Sequence, residues 1–504
     1  MKKIRIASLL FPPLGLVLLW RSDQVPLRRK IPGAAGIGFY SLLYAGAIIA
    51  LLMRFTGLEL EWRGGFPPVL TWRKTHPNYG AVEASRRTQP PSPAPPQTPG
   101  AQSDWPGFRG PHRDGHCDQT PIATHWPAGG LRPLWKQPIG GGYASFAIVG
   151  GRAFTIEQRR GQEAVTAYDV ESGRELWATA YPADFNESMG GEGPRATPAF
   201  SEGRVYSLGA MGDLLCLDAA DGKVIWKVNI LTDNLADLLP YGMAASPLVA
   251  GDKVIVQAGG SRGRSVVAYD KLTGKAVWRA LDDPAAYSSP MLVELAGQEQ
   301  LLVVTDHRAA GLKLDNGALL WTTPWIVKQG NRNNAQPVLL ASNRFLLSAG
   351  YGTGCEAVEV TCASAGFEAK PLWHNIRMKN KFTSSVFWQG FIYGLDEDTL
   401  TCLDAQTGER KWRDGRYGYG QIMLADGHLI VLGGEGQLAL VKASPGRYEE
   451  LSHFQAIEGK TWNHPAMYGG KILIRNAVQM ACYDLRAPPP SSGLAKSNFS
   501  QAIP

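Results

Sequence analysis

The sequence predicts an all-β fold: an eight-bladed β-propeller of four-stranded blades, closed by an N-terminal strand and preceded by a transmembrane helical anchor. Three observations predict it. One short device, an apolar residue and Asp, a turn, Gly and then Trp, recurs along the chain. The two ends of the repeat region hold complementary halves of that device. Helical periodicity is nearly absent after residue 55.

The device reads Ala167-Tyr168-Asp169…Gly173…Trp177 and returns as Cys216-Leu217-Asp218…Gly222…Trp226, as Ala268-Tyr269-Asp270…Gly274…Trp278 and as Cys402-Leu403-Asp404…Gly408…Trp412. Asp caps a tight turn through its own backbone, Gly takes the left-handed conformation, and the run to Trp begins another strand. Two further apolar runs precede each copy, as in 197–200 and 203–208, making four strands per unit. A copy at Lys313-Leu314-Asp315-Asn316-Gly317…Trp321 reads as shortened by two turn residues. The phase runs through Trp135, Trp177, Trp226, Trp278, Trp321, Trp373 and Trp412, with a degenerate eighth at Leu451. Repeats of about 40–50 residues with four strands each are the signature of a propeller.

Closure follows from the ends. Cys482-Tyr483-Asp484-Leu485 has no Trp after it, and Leu134-Trp135-Lys136 has nothing before it. The N-terminal strand is expected to complete the C-terminal blade, which removes an exposed sheet edge.

Ahead of the repeats, 31–53 runs without a charge, a length of 23 residues, where a bilayer core needs about 20. A shorter run, 6–20, contains Pro12 and Pro13 and is open between a strained first span, an interfacial segment and a signal-like stretch. Arg21, Arg28, Arg29 and Lys30 separate the two runs. Cationic loops stay cytoplasmic, so the second run is expected to cross outward, placing the propeller on the periplasmic side of the inner membrane. With no small-residue cleavage site and no nearby Cys for lipid attachment, the anchor is expected to be retained. The resulting division is an anchor of one or two helices over 1–55, a juxtamembrane segment and Pro-rich linker over 56–103, the propeller over 104–486 and a disordered tail over 487–504. The stretch 88–100 holds six prolines, an extended spacer expected to stand the propeller off the bilayer.

The formal charge of +7 excludes less than it first suggests. Residues 1–100 carry 13 Lys and Arg against 4 Asp and Glu, leaving 38 against 40 for the remainder. The propeller lacks a basic nucleic-acid footprint. Cys216, Cys402 and Cys482 occupy one repeat position and read as small core residues. Cys355 and Cys362 lie in one strand, roughly 23 Å apart if extended, too far for a disulfide; Cys117 is open between free and paired.

These repeats resemble the PQQ-type β-propeller family, whose repeat reads apolar-Asp-x-x-Thr-Gly-x-x-x-Trp. The resemblance covers about 104–486 and implies two functional branches: periplasmic quinoprotein dehydrogenases, and BamB-like scaffolds of outer-membrane assembly. The opening segment Asp104-Trp105-Pro106-Gly107-Phe108-Arg109-Gly110-Pro111, with 193–198 and 351–355, also resembles a group of membrane-anchored bacterial PQQ-like propellers. The matching positions are core and turn residues, which carry fold rather than function.

The dehydrogenase branch implies a pyrroloquinoline quinone, PQQ, in the central funnel with a Ca²⁺, carboxylate and amide ligands, an Asp base, and cations for the quinone carboxylates. The vicinal cysteines of its alcohol-oxidising members are missing here. Sorting strand ends by face places Glu157, Gln158, Arg195, Lys379 and Asn380 near one mouth as candidate cofactor contacts, with Arg159, Thr197, Tyr287, Ser288, Asp306, His307, Asn334, Gln336, Tyr351, Lys381, Asn463 and His464 around them. Arg195, Lys379 and Lys381 are the candidate partners for carboxylates. No catalytic and no metal residue is assigned. Asp306 with His307 requires a turn to cooperate, since strand neighbours face opposite ways; the spacing of His112, His116, Cys117 and His125 matches no standard zinc site.

The expectation is a scaffold for envelope proteins or peptides, without cofactor and without nucleic acid. The alternative is a PQQ- and Ca²⁺-dependent oxidoreductase acting on an alcohol or sugar. A glycan-binding module using Tyr143, Tyr287 and Tyr351 is a third class.

Overall fold

The computed structural model describes residues 8, 11–23, 25–65, 67–72, 77–89, 104–117, 121–364 and 366–486. The expected tail at 487–504 and the Pro-rich stretch from 90 to 103 lie outside them. The chain divides into two compact units, 1–74 and 75–504.

In the first unit, helix α1 (Pro12–Arg21) is followed by helix α2 (Leu27–Thr56). Ten residues of α1 rise only about 15 Å, whereas the 30 residues of α2 rise about 45 Å, enough for a hydrocarbon core of about 30 Å. By length and composition α2 is the one described helix able to cross a membrane. Gly57 ends it in the left-handed conformation. A two-stranded sheet, Leu58–Glu61 with Val69–Trp72, follows.

The second unit is the eight-bladed propeller. Every blade is an antiparallel meander running from an innermost strand outward. Blade 1 runs Ala147–Val149, Arg152–Arg159, Gln162–Asp169 and Glu175–Pro182. Blades 2 to 7 begin at Ala199, Leu248, Met291, Val338, Val386 and Gln421. Blade 8 consists of Ala466–Tyr468, Lys471–Arg475, Gln479–Asp484 and, as its outer strand, Trp135–Pro138. The expected closure is present: Cys482 faces Trp135 as Cys216 faces Trp226 and Cys402 faces Trp412.

Pairing registers explain the repeat. In blades 1 to 6 a bulge before the Trp turns its ring toward the next blade. Trp177 Nε1 donates to Ala219 O at 3.1 Å, Trp226 to Lys271 O at 3.0 Å, Trp278 to Leu314 O at 2.9 Å and Trp135 to Val170 O at 2.8 Å. The ring also covers the turn glycine of that next blade: a Cβ on Gly222, whose φ is +77°, would lie 2.4 Å from Trp177. The device is thus an inter-blade latch, and Asp, Gly and Trp belong to one contact.

Two details of the repeat phase are corrected by these registers. The copy at 313–321 is not shortened. Lys313 holds the Asp position, because its N–H bonds to Ala318 O and its carbonyl accepts from Gly317, as Asp169 does with Arg174 and Gly173. In blade 7 the residue at the Trp position is Ser452, paired with Leu440, while Leu451 is the bulge. Trp126, from the segment before the propeller, packs edge-on against Phe454 at 5.5 Å, and its N–H donates to Ser452 Oγ at 3.1 Å.

Two segments outside the repeats also pack on the propeller. Helix α3 (Tyr79–Arg87), capped by the Asn78 side chain, docks on blade 1. Its Arg86 bonds Glu175 at 3.0 Å and the Tyr168 hydroxyl at 3.0 Å. The Pro-rich stretch therefore has both flanks on the propeller, since the chain reappears at Asp104 against blade 1.

Candidate functional site

Eight inner strands start from one pattern, visible when their approaches are aligned: Tyr143-Ala144-Ser145, Arg195-Ala196-Thr197, Ala244-Ala245-Ser246, Tyr287-Ser288-Ser289, Asn334-Ala335-Gln336, Phe382-Thr383-Ser384, Tyr419-Gly420-Gln421 and Trp462-Asn463-His464. Each triplet enters the channel from the same end, so its three positions form three levels.

The third position forms a belt. Thr197 N–H donates to Ser246 Oγ, Ser246 N–H to Ser289 Oγ, Ser289 N–H to Gln336 Oε1 and Gln336 N–H to Ser384 Oγ, over 2.8 to 3.1 Å. Gln421 Nε2 spans the carbonyls of Phe382 and Trp462, both at 2.8 Å. Asn463 Nδ2 bonds Ala144 O at 2.9 Å, and Ser145 N–H reaches Thr197 Oγ1 at 3.0 Å. The circle closes through all eight blades. Short hydroxyl and amide side chains here satisfy strand-end amides that have no sheet partner.

Beneath the belt, the segment 104–117 crosses the channel. Trp105 exchanges both backbone bonds with Ile148 of blade 1, and Pro106 O accepts from Phe200 of blade 2. Arg113 donates to the carbonyls of Ser246, Pro247 and Pro290. Arg109 donates to Ser385 O at 2.9 Å and Asp114 O at 2.8 Å. Phe108 meets His464 edge-on at 4.8 Å, and His116–Cys117 adds a parallel strand to blade 7. Both arginines are buried, which pushes Arg109 down to about 10 and Arg113 to about 9. Burial, and then the charge of Arg109, holds His464 well below its ordinary value.

Above the belt, the first positions form a rosette at the mouth: Tyr143, Arg195, Ala244, Tyr287, Asn334, Phe382, Tyr419 and Trp462. Tyr143, Trp462, Phe382 and Tyr419 form a continuous arc with successive centroids at 5.5, 4.7 and 5.8 Å. Tyr241 and Tyr287 pair at 6.0 Å. Cations cap these rings. Lys381 Nζ lies 4.8 Å from both Tyr351 and Tyr419, and Lys460 Nζ lies 4.6 Å from Trp462. Arg195 stacks over Phe185 at 4.8 Å. Burial lowers the Lys381 pKa and raises those of Tyr287 and Tyr419 to about 12. Burial also raises the Glu397 carboxyl, against the opposing pull of Lys381 and Lys379.

The five residues expected to hold a cofactor divide among separate networks. Glu157 is fully buried; desolvation works against its charge, but Arg159, Arg475 and Arg86 hold its pKa below the ordinary value. It accepts from Gly140 N at 2.9 Å and Tyr168 OH at 3.1 Å. Gln158, on the opposite face of the strand, holds the neighbouring loop through Asp184 at 2.8 Å and Phe185 N at 3.0 Å. Arg195 reaches the mouth and pairs with Glu187 at 3.1 Å. Lys379 pairs with Asp396, while Asn380 bonds Leu395 O at 3.0 Å and Ser385 Oγ at 2.8 Å. Asp306 and His307 do lie in a turn, yet His307 Nδ1 lies 3.4 Å from Asp283 while its Nε2 is 4.0 Å from Asp306. Sequence reasoning missed Tyr241, Phe382, Tyr419, Lys460 and Trp462. Aligning the eight inner-strand approaches, rather than the Trp positions, finds three of them.

The family described as outer membrane protein assembly factor BamB matches residues 161–414. The chain belongs to this family of PQQ-like propellers. It is 22% identical over 316 residues to outer membrane protein assembly factor BamB of Burkholderia pseudomallei, covering 60% of this chain and 74% of that one. It is 30% identical over 131 residues to the dehydrogenase subunit of a quinone alcohol dehydrogenase of Komagataeibacter europaeus, 25% of this chain and only 18% of that one. Among solved structures, BamB of Moraxella catarrhalis superposes with a TM-score of 0.52 at 15% identity, over 71% of this chain and 99% of that one. The quinohemoprotein alcohol dehydrogenase ADHIIG of Pseudomonas putida superposes at 0.50 with 13% identity, over 77% and 82%. These superpositions establish the fold.

The described residues gather no carboxylate cluster for the Ca²⁺ of a bound quinone. Among the described residues no three His, Cys, Asp or Glu side chains gather as a metal site. Glu157 is neutralised by Arg159 and Asp396 by Lys379 and Arg413. Of the belt atoms without partners, Gln336 Nε2 is a donor, and Gln421 Oε1 and Asn463 Oδ1 are two amide oxygens, fewer than the roughly six to eight oxygens that Ca²⁺ takes.

Proposed function

We propose that this protein is a membrane-tethered scaffold of the bacterial cell envelope, anchored in the inner membrane by α2, with the propeller on the periplasmic side binding envelope proteins or peptides. One observation carries the reading. The carboxylates Glu157, Glu187 and Asp396 around the channel are engaged by the protein's own cations, while the mouth presents a half-buried rosette of Tyr, Trp, Phe and Arg. Such side chains dominate the energetic centres of protein interfaces. A propeller offers them on a rigid disc, so little ordering entropy opposes binding. The 22% identity to an outer membrane protein assembly factor supports partners among the proteins of outer-membrane assembly.

The test has two arms. A photo-crosslinking residue placed at rim positions Lys223 and Lys275, and separately at Phe382, should trap envelope proteins in intact membranes. Titration of the intact protein with PQQ, with and without Ca²⁺, should leave the quinone spectrum unchanged at tens of micromolar. Ca²⁺-dependent one-to-one uptake of PQQ with dye reduction on an alcohol or sugar would replace the scaffold reading by an oxidoreductase.

A further inference from the structure

Three features stand apart from the repeat latches: the arginine plug beneath the belt, the ten-residue hairpin strands of blade 5 with Cys362 near their tip, and the rosette at the mouth. The terminal guanidinium nitrogens of the plug donate to backbone carbonyls, and nothing in the structure shows what would meet the hairpin. The rosette combines surface, charge and a closed floor.

We infer that the rosette is the docking site itself and that its partner is an acidic peptide segment bearing aromatic or aliphatic side chains beside its carboxylates, inserted as a chain end or loop tip. This rests on the scaffold reading above. Three observations support it. First, the arc Tyr143, Trp462, Phe382 and Tyr419 is unbroken, and its rings are half-buried, so their remaining area is concentrated in one depression. Burying such rings supplies most of the affinity of a small interface.

Second, two ammonium groups lie on the faces of the arc, that of Lys460 also donating to the carbonyls of Met189 and Gly190. Lys460 sits over Tyr143 and Trp462 and Lys381 over Tyr351, Phe382 and Tyr419. Arg195 is paired with Glu187 and Arg332 lies 3.8 Å from Asp306. Glu397 is the carboxylate facing Lys381 and Lys379, and burial disfavours its charge. Ammonium groups held against aromatic faces are partly desolvated, and a carboxylate meets them there at lower cost than in water. A basic partner would bring its cations against Lys381 and Lys460 and be rejected.

Third, the depression is blind. The belt lies two residues below the rosette and the Arg109 and Arg113 segment closes the channel beneath it, so a chain cannot thread through. A ligand must turn back or end.

The test uses the full chain in detergent micelles and two dye-labelled 12-residue probes, an alternating Glu-Phe peptide and its Lys-Phe counterpart, followed by fluorescence anisotropy. The acidic peptide is expected to bind at least tenfold more tightly than the basic one. Lys381→Glu with Lys460→Glu should weaken it at least tenfold, Lys381→Arg with Lys460→Arg should keep it, and rim changes Lys223→Glu with Lys275→Glu should leave it unaltered. Equal binding of both peptides, or indifference to the mouth reversal in a variant that melts like the parent, overturns the inference. So does lysine-dependent binding of hexagalacturonate in place of the peptide, which would assign the mouth to an acidic glycan. Such failures are separable from that of the scaffold reading, because crosslinks from the rim report a partner without involving the mouth.

Discussion

Replacing Gly222 and Gly203 by alanine, one at a time, separates two effects that the repeat combines. Both lie in blade 2 with nearly equal backbone angles, φ +77° and +75°. A Cβ on Gly203 has nothing within 4 Å, whereas on Gly222 it would lie 2.4 Å from Trp177 Cε3 and 2.7 Å from Cδ2. The left-handed conformation alone costs a non-glycine residue roughly 1–2 kcal/mol. Gly222→Ala must also displace an indole held by its bond to Ala219 O at 3.1 Å, and overpacking of this kind typically adds about 1–3 kcal/mol. The expected losses are therefore roughly 1–2 kcal/mol for Gly203→Ala and about 2–5 kcal/mol for Gly222→Ala. At about 2.1 cal/mol/K per residue, a domain of this size shifts by about 1 °C per kcal/mol. Thermal melts followed by near-ultraviolet circular dichroism read both the shift and the environment of the indole. Equal shifts for the two variants would refute the latch, since they would leave only the backbone effect.

Three further predictions follow from the networks. Glu157 is ionised at neutral pH against Arg159, Arg475 and Arg86, and its folded pKa lies below the unfolded one. Its contribution is therefore present above pH of about 4.5 and lost as pH falls through the folded pKa. Glu157→Gln should cost about 3–5 kcal/mol at pH 7 by leaving buried cations uncompensated, and should flatten the acid limb of melting temperature against pH. Arg113→Ala removes the donor from the carbonyls of Ser246, Pro247 and Pro290, and an unpaired buried polar group costs about 1–3 kcal/mol. A lowered melting point with faster cleavage within 104–117 is expected, and Arg113→Lys should rescue it only in part, because an ammonium lacks the fork. Of the six cysteines only Cys362 is exposed, and burial raises Cys216 to about 11 and Cys355 to about 12. Maleimide should label one thiol in the native protein, none after Cys362→Ser, and all six on unfolding of the unchanged chain.

Much of the architecture was legible in local pattern. The latch combines Asp, Gly and Trp at set spacing because a turn, a left-handed residue and an inter-blade ring each demand one residue type. Cys482 and Trp135 announced closure because a sheet edge needs a partner. Where the spacing relaxes, the pattern misleads: Lys313 occupies a turn position that chemistry alone assigns to Asp, and Ser452 stands where Trp is expected, with Trp126 packed there from another segment. Helix α3 was hidden because nine residues carry little periodicity, and its place is decided by Arg86 meeting Glu175 and Tyr168 of blade 1.

The site was less legible, for a physical reason. Glu157, Gln158, Arg195, Lys379 and Asn380 were singled out by residue type and strand end, but whether a charge faces a ligand or a neighbour depends on side chains far away in sequence, as with Glu157 and Arg475. Short-range periodicity and turn chemistry carry the repeat, the blade count, the closing strand and the apolar helix, so these are readable along the chain. Only the tertiary structure decided that Arg109 and Arg113 close the channel, that eight strand approaches form one belt, and that Tyr143, Phe382, Tyr419 and Trp462 share one mouth, because each of these unites residues brought together solely by the circular arrangement of the blades.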